Sequence, residues 1–214
     1  AGIPTETFLI PAVQHSRKYN SDLSHPQPQV VPMRNFARFL GWWISEGWTY
    51  SKGYPYTIGL GQSAKHTIEC DDIRESVQVL KNTGLRVREH LQTNGMIVWC
   101  STNKSLWTWL RHNCGKGSYS KRLPDFINDL PAVQQKEILE SLILGDGNKR
   151  VSGSMVYFTV SRELADQVQS VAIQCGYVSH VSKPMKNGVI PVVIKPAACH
   201  LKVSQRHIFI VPYS

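Results

Sequence analysis

Long apolar runs are missing from this 214-residue chain: no stretch has the length and hydropathy of a membrane span, and no basic leader precedes an apolar secretory segment. Low-complexity tracts are absent too. Cysteine is sparse, and the five thiols, at positions 70, 100, 114, 175 and 199, are odd in number and form no CxxC pair. That argues against a disulfide scaffold and for a reducing compartment. Cys199 beside His200, and His112 near Cys114, lack the four-ligand spacing of a structural zinc site. Acids are the scarcer charge, 15 Asp and Glu against 24 Lys and Arg, which leaves a formal +9. Together these shortages point to a soluble, intracellular protein of cytoplasm, nucleoid or organelle with a polyanionic partner and no membrane contact. Ribosomal and membrane-surface proteins share the basic bias, so charge alone does not choose between classes.

What the chain does contain is a duplication. FLGWWISEG at 39–47 and LESLILGDG at 139–147 share a nine-residue pattern ending in a small residue, an acid and a glycine. Each is an apolar run of helical length, expected to stop at its glycine in a left-handed cap. Glu46 and Asp146 then sit at the negative end of a helix dipole, where a carboxylate is disfavoured by about 0.3–1 kcal/mol. A local preference violated twice calls for something that stabilises the charge, and a bound cation does so. The third pattern position is small in both copies, Gly41 and Ser141, as is the seventh, Ser45 and Gly145. Small residues at a spacing of four let two helix backbones approach closely and bring both acids to one place.

The remainder reads as two similar halves behind an extension. Residues 1–33 hold one short apolar stretch, FLIPAV, and are expected to pack on the first half, 34–128. After the first motif come a strand, TIGLGQS, a helix ending at Gly84, and two strands around Asn94-Gly95, a strong hairpin signal. A short helix, KSLWTWLRH, leads through the basic loop GKGSYSKR to Pro131, suited to the first turn of the second motif helix. The second half, 129–214, repeats the order with MVYFTVS, ELADQVQSVAIQCG, YVSHVS and VIPVVIK. From motif acid to helix-ending glycine the first half is eight residues longer, an excess assigned to a loop. The expected fold class is α+β: two pseudo-symmetric αββαββα-like halves joined at a paired-helix seam, in one monomer, with antiparallel sheets forming a saddle.

Strand LRVREHLQ shows what that saddle meets. One face reads Leu85, Val87 and Leu91, interrupted by Glu89; the other reads Arg86, Arg88, His90 and Gln92. A two-stranded ribbon fits the DNA major groove, where Arg and Gln hydrogen-bond guanine and adenine edges. Lys52, Tyr54, Trp99 and Ser101 are weaker candidates on neighbouring segments, with His180, Ser182 and Lys183 in the second half.

The paired motifs resemble those of the LAGLIDADG homing endonucleases, with Glu46 and Asp146 at the position of the metal-binding acid; the resemblance runs from about Arg34 to at least Gly176, most of the chain. Phe39, Trp42 and Trp43 are bulkier than the family pattern, at packing positions. The resemblance implies a site-specific endonuclease that hydrolyses both strands of a long double-stranded DNA site across the minor groove, leaving 3′ overhangs. It implies Mg²⁺, or another divalent ion such as Mn²⁺, held by Glu46, Asp146 and the backbone carbonyls of Ser45 and Gly145, with no organic cofactor. Gln62 matches a position that orders the attacking water, its second-half counterpart falling near Val160. Lys121 resembles a basic residue placed near the scissile phosphate, with Lys149, Lys195 or Lys202 as second-half partner. Two alternatives share the fold: a maturase acting on intron RNA, and a DNA-binding regulator without catalysis. The chain begins with Ala1, as after removal of an initiator Met or excision from a larger protein. It lacks the first Cys or Ser and terminal His-Asn of a complete intein, and intron-encoded, intein-derived and free-standing origins stay open.

Overall fold

The structure, a computed structural model, describes residues 6–11, 28–50, 56–82 and 85–197. Lys52, Tyr54, Gly84, Cys199, His200 and Lys202 lie outside them. Two motif helices, α1 (Met33–Glu46) and α4 (Ala132–Asp146), pack against each other at the centre. Each enters from a proline, Pro32 or Pro131, whose fixed φ and missing N–H suit a helix start.

Small residues bring the two backbones together. A Cβ on Gly41 would lie 2.6 Å from the Ser141 Cβ, and one on Gly145 2.5 Å from the Ser45 Cβ. Large side chains fill the flanks: Phe36, Leu40, Trp42, Trp43, Leu139 and Leu142 are all at most 2% exposed, each stabilising the fold by roughly 1.5–3 kcal/mol through burial. At the entry end, Glu137 of α4 receives Arg34 Nε at 2.6 Å and lies 3.6 Å from Arg38. Asp72 accepts from Arg38 and, at 2.6 Å, from the Trp42 indole.

Both helices end differently from the expectation. Gly47 (φ −96°, ψ 152°) and Gly147 (φ −124°, ψ −177°) are extended, not left-handed. The chain turns straight into strands β3 (Gly47–Thr49) and β7 (Gly147–Lys149). Glycine is needed there for space: a Cβ would come within 2.4 Å of Trp43 O at position 47 and 2.6 Å of Ile143 O at position 147.

In the first half β3, β4 (Thr57–Ser63), β5 (Val87–Leu91) and β6 (Met96–Thr102) form an antiparallel sheet of order β3-β4-β6-β5. The second half repeats it as β7-β8-β10-β9, with β8 (Met155–Thr159), β9 (Tyr177–Val181) and β10 (Ile190–Pro196). Helices α2 (Thr67–Asn82) and α5 (Arg162–Gln174) follow β4 and β8, and α3 (Lys104–Asn113) follows β6. Only part of the extra length of the first half falls in a loop. The rest lengthens β4 and α2, seven and 16 residues against five and 13 in β8 and α5. The predicted hairpin turns at Gly95 (φ +81°), where Gln92 N donates to Met96 O at 2.7 Å.

The N-terminal extension contributes a two-stranded ribbon, β1 (Thr7–Ile10) with β2 (Gln29–Pro32). Phe8 anchors it, stacked on Phe36 at 4.0 Å and edge-on to Trp109 at 5.0 Å. No helix among the described residues is long and apolar enough to cross a membrane.

Candidate active site at the helix seam

Because α1 and α4 touch at Ser45 and Gly145, the next residue of each, Glu46 and Asp146, emerges at the same end of the seam. A Cβ on Gly145 would be only 3.7 Å from Glu46 Cγ. Burial pushes the Glu46 carboxyl up to about 7, and the nearby Asp146 charge adds to the shift, while Lys121 and Gln62 oppose it. Asp146 keeps an exposed side and is shifted upward too, by the protein around it, against the pull of Lys121. Burial is thus the main reason both carboxyls hold their protons to higher pH.

Gln62 stands beside Glu46. Its Oε1 accepts from Ser63 N at 2.8 Å, which aims Nε2 at Glu46 Oε1, 3.5 Å away. The strand registers define its true counterpart: β3 pairs Gly47 with Leu60 and β7 pairs Gly147 with Tyr157. Two residues further on, Gln62 corresponds to Thr159, one position before the predicted Val160. Thr159 Oγ1 accepts from Ser161 N at 3.1 Å, so the two acids have unlike neighbours.

Lys121 reaches the site from the linker between the halves. Its ammonium donates to Trp43 O at 3.0 Å, to Gly47 O at 2.9 Å and to Ile44 O, above the Trp43 ring at 5.2 Å. Three donors meet three carbonyls at the end of α1, so this lysine caps the helix dipole directly beneath Glu46. Burial lowers its pKa to about 8, and both acids hold it from falling further. The sequence expectation of a lysine poised over phosphate meets an ammonium with no proton to spare.

A cavity of about 270 Å³ opens next to Asp146, lined by Ser45, Ser118, Lys121, Tyr157, Phe158 and Thr159 among others. Tyr157 is 1% exposed, its phenol pushed upward by burial and by Asp146. Ser45 Oγ lies beside the Asp146 carboxylate and the Tyr157 phenol, yet completes hydrogen-bond geometry with neither. Nothing in the motif pattern marks Tyr157. The alternation of MVYFTV does place it inward with Met155.

The donor set suits a hard divalent ion. It offers two partly buried carboxylates shifted upward by burial, the adjacent backbone carbonyls of Ser45 and Gly145, and an orphaned buried hydroxyl on Ser45. Among the described residues no group of three or more His, Cys, Asp or Glu forms a cage. The remaining ligands of such an ion would be water and substrate oxygens.

On the first sheet, Arg88 and His90 pair with Cys100 and Val98 on the face away from α2, and Arg86 and Gln92, just beyond β5, are exposed. Trp99 and Ser101 are corrections. Both pair with the opposite face, against Leu60 and Ile58. Trp99 is 2% exposed and its indole donates to Glu89 at 2.8 Å; the Ser101 hydroxyl is buried. Glu89 interrupts the apolar face because it holds Trp99 and Arg74, the latter at 2.9 Å. Trp48 was overlooked. It lies on the Arg88 face over Gly59 and Gly61, where a Cβ would come within 2.4 and 3.0 Å of the indole. Alternate glycines in TIGLGQS are the signal that something covers the strand. In the second half His180 and Ser182 share a face, and Lys183 is exposed beyond them. Lys149 pairs with Met155, and Lys195 lies at the far end of β10 opposite Val178.

No family model matches the chain. It is 26% identical over 180 residues to an iron–sulfur cluster assembly SufBD family protein of Mycobacterium tuberculosis, covering 78% of this chain and 21% of that protein. It is 29% identical over 210 residues to the ATP-dependent DNA helicase Hel308 of Thermococcus kodakarensis, covering 91% and 18%. An ATP-dependent Clp protease proteolytic subunit of Chlamydomonas moewusii matches at 24% over 177 residues, covering 81% and 17%. The chain thus spans about a fifth of the length of these relatives. Among solved structures, a variant of I-DmoI bound to its target DNA in the presence of manganese superposes with TM-score 0.58 at 14% identity, over 76% of this chain and 87% of that one. I-DmoI with DNA and manganese gives 0.55 at 14%, over 76% and 90%. The antiparallel sheets, the paired central helices and the order of the elements are those of the LAGLIDADG fold of the homing endonuclease I-DmoI.

Proposed function

We propose that this chain is a divalent-metal-dependent endonuclease that hydrolyses both strands of a long double-stranded DNA site. The observation that carries the reading is the convergence of Glu46 and Asp146 at the Ser45–Gly145 contact, two carboxylates raised in pKa by burial. When bound there, a divalent ion supplies Lewis acidity to a phosphate oxygen and acidifies a water. Glu46 and Asp146 hold it, with the Ser45 and Gly145 carbonyls completing the protein side. Gln62 orients water on the Glu46 side. Lys121 fixes the end of α1 and offsets part of the acids' charge. Arg86, Arg88 and His90 meet the duplex on one sheet, His180, Ser182 and Lys183 on the other.

The relatives add support. An iron–sulfur assembly protein, a helicase and a protease subunit have no function in common, yet each contains a segment similar to most of this chain. A coding unit that inserts itself into unrelated genes accounts for that distribution, and cutting DNA at the insertion point is how such a unit spreads.

The test is incubation with a plasmid library carrying randomised inserts in Mg²⁺. Linear products with paired, staggered cuts at one recovered sequence are expected, lost in Glu46→Gln and Asp146→Asn while binding persists. A library left uncut in both Mg²⁺ and Mn²⁺ overturns the reading.

A further inference from the structure

The two open sheet faces differ in chemistry. In the second half, β8 and β10 turn Tyr157, Met155, Val192 and Ile194 inward, where α4 and α5 pack. The register leaves the other face to Phe158 opposite Pro191, Val156 opposite Val193, and Val193 opposite His180. Val178 sits beside Lys195 on the same side. This face stays open, with Phe158 36% and Val178 59% exposed. An antiparallel sheet with one solvated face normally presents polar side chains there, and a contiguous apolar strip marks an interaction surface.

Charge names the partner. Residues 147–161 and 175–196, which form this sheet and its turns, include Lys149, Arg150, Lys183, Lys186 and Lys195 and not one Asp or Glu. A strip of branched and aromatic side chains in a purely cationic frame fits a polyanion that carries methyl groups. The DNA major groove provides both, phosphates at its rims and the thymine C5-methyl on its floor. The first sheet, with Arg88 and His90, instead presents hydrogen-bond donors.

Building on the nuclease reading, we infer that the β7–β10 face reads its half of the target by apolar contact with thymine methyls, Phe158 and Val193 being the central contacts. The recognition site is then chemically lopsided, with a thymine-rich half under this sheet.

The test starts from duplexes selected by the wild-type protein from a randomised pool, with Ca²⁺ in place of Mg²⁺. Each thymidine of the selected site is replaced by deoxyuridine, which removes the methyl and nothing else. In one half-site, affinity should fall about three- to fourfold per contacted methyl. That sensitivity should vanish in Val193→Ser and Phe158→Ser proteins, which also identifies the half under this sheet. A selected site indifferent to deoxyuridine overturns the inference and leaves the nuclease reading standing. A pool that yields no bound duplex removes both. Sedimentation as a dimer that Phe158→Lys dissociates assigns the face to a second copy of the chain and also overturns it.

Discussion

Gly145 meets Ser45 across the helix seam with no room for a methyl group: a Cβ there would stand 2.5 Å from the serine Cβ. The contact one turn earlier is its mirror, Gly41 against Ser141 at 2.6 Å. Each crossing carries one glycine and one serine. Since the acids follow directly on Ser45 and Gly145, this contact sets how far apart Glu46 and Asp146 stand, and with it the size of cation they could share.

Gly145→Ala should therefore force the helices apart, costing about 1–3 kcal/mol as an overpacked core does, and depress cleavage further by separating the acids. Ser45→Gly alone should cost about 0.5 kcal/mol through helix propensity. Combined, the two exchange the partners at the crossing and restore the fit, so the double variant should be more stable than the sum of the single losses by over about 1 kcal/mol. Urea denaturation of the four proteins measures this. Simple additivity would mean that the contact does not govern the seam.

This seam was legible from sequence because it is a repeat. The match of small residues, Gly41 with Ser141 and Ser45 with Gly145, in two distant segments needs no knowledge of packing, and neither does the period-2 alternation that puts Arg88 and His90 on one face. Element order followed from the same signals. What failed needed three-dimensional register. Trp99 and Ser101 look like surface candidates until β6 is paired with β4, which sends them to the helix side with Leu60 and Ile58. Lys121 looks like a free cation in a basic loop until three carbonyls of a helix 74–78 residues away close around it. Gly47 and Gly147 were expected to be left-handed and are extended, because in each case a strand begins where the helix stops.

The raised pKa of Glu46 predicts a pH dependence of definite sign. A carboxyl whose folded pKa, about 7, exceeds its ordinary 4.5 favours the folded state while protonated. That contribution is fully present below about pH 4.5 and is lost as pH rises through 7. In chelator, Tm should thus carry a component that falls between pH 5 and 8 and disappears in Glu46→Gln. Divalent ion competes with that proton, so added Mg²⁺ should raise Tm more at pH 8 than at pH 5.5. Equal stabilisation at both would show that the ion binds elsewhere.

Lys121→Met should lower stability by about 3 kcal/mol, because it strips three charged hydrogen bonds from buried carbonyls at the end of α1, of which Trp43 O keeps the Gly47 N–H. Arginine is no substitute: its planar fork does not fit a pocket that receives a point charge from three directions. Chemical denaturation, run beside cleavage at a temperature where every variant is folded, separates capping from catalysis. Full stability with lost cutting would return Lys121 to the scissile phosphate and end the capping role.

The sheet faces predict opposite behaviour for residues that lie close together in the sheet. Arg86 and Arg88 are exposed, Arg88 on the open face, so replacing each by Ala should weaken DNA binding and reduce the slope of log affinity against log salt by about 1. Trp99 pairs with Glu89, one residue from Arg88, but faces α2. Trp99→Phe should leave the salt slope unchanged and cost about 1–2 kcal/mol of stability through the space and the indole hydrogen bond it gives up. Fluorescence anisotropy over a salt series, paired with urea denaturation, resolves the two effects. Since adjacent strand residues point to opposite faces, a one-residue slip of β5 would turn Arg88 inward and abolish its salt-slope effect, whereas Trp99, held on β6 by β4, would keep its own phenotype. The measurement therefore tests the register itself, and with it every residue assigned to the DNA side of the first sheet.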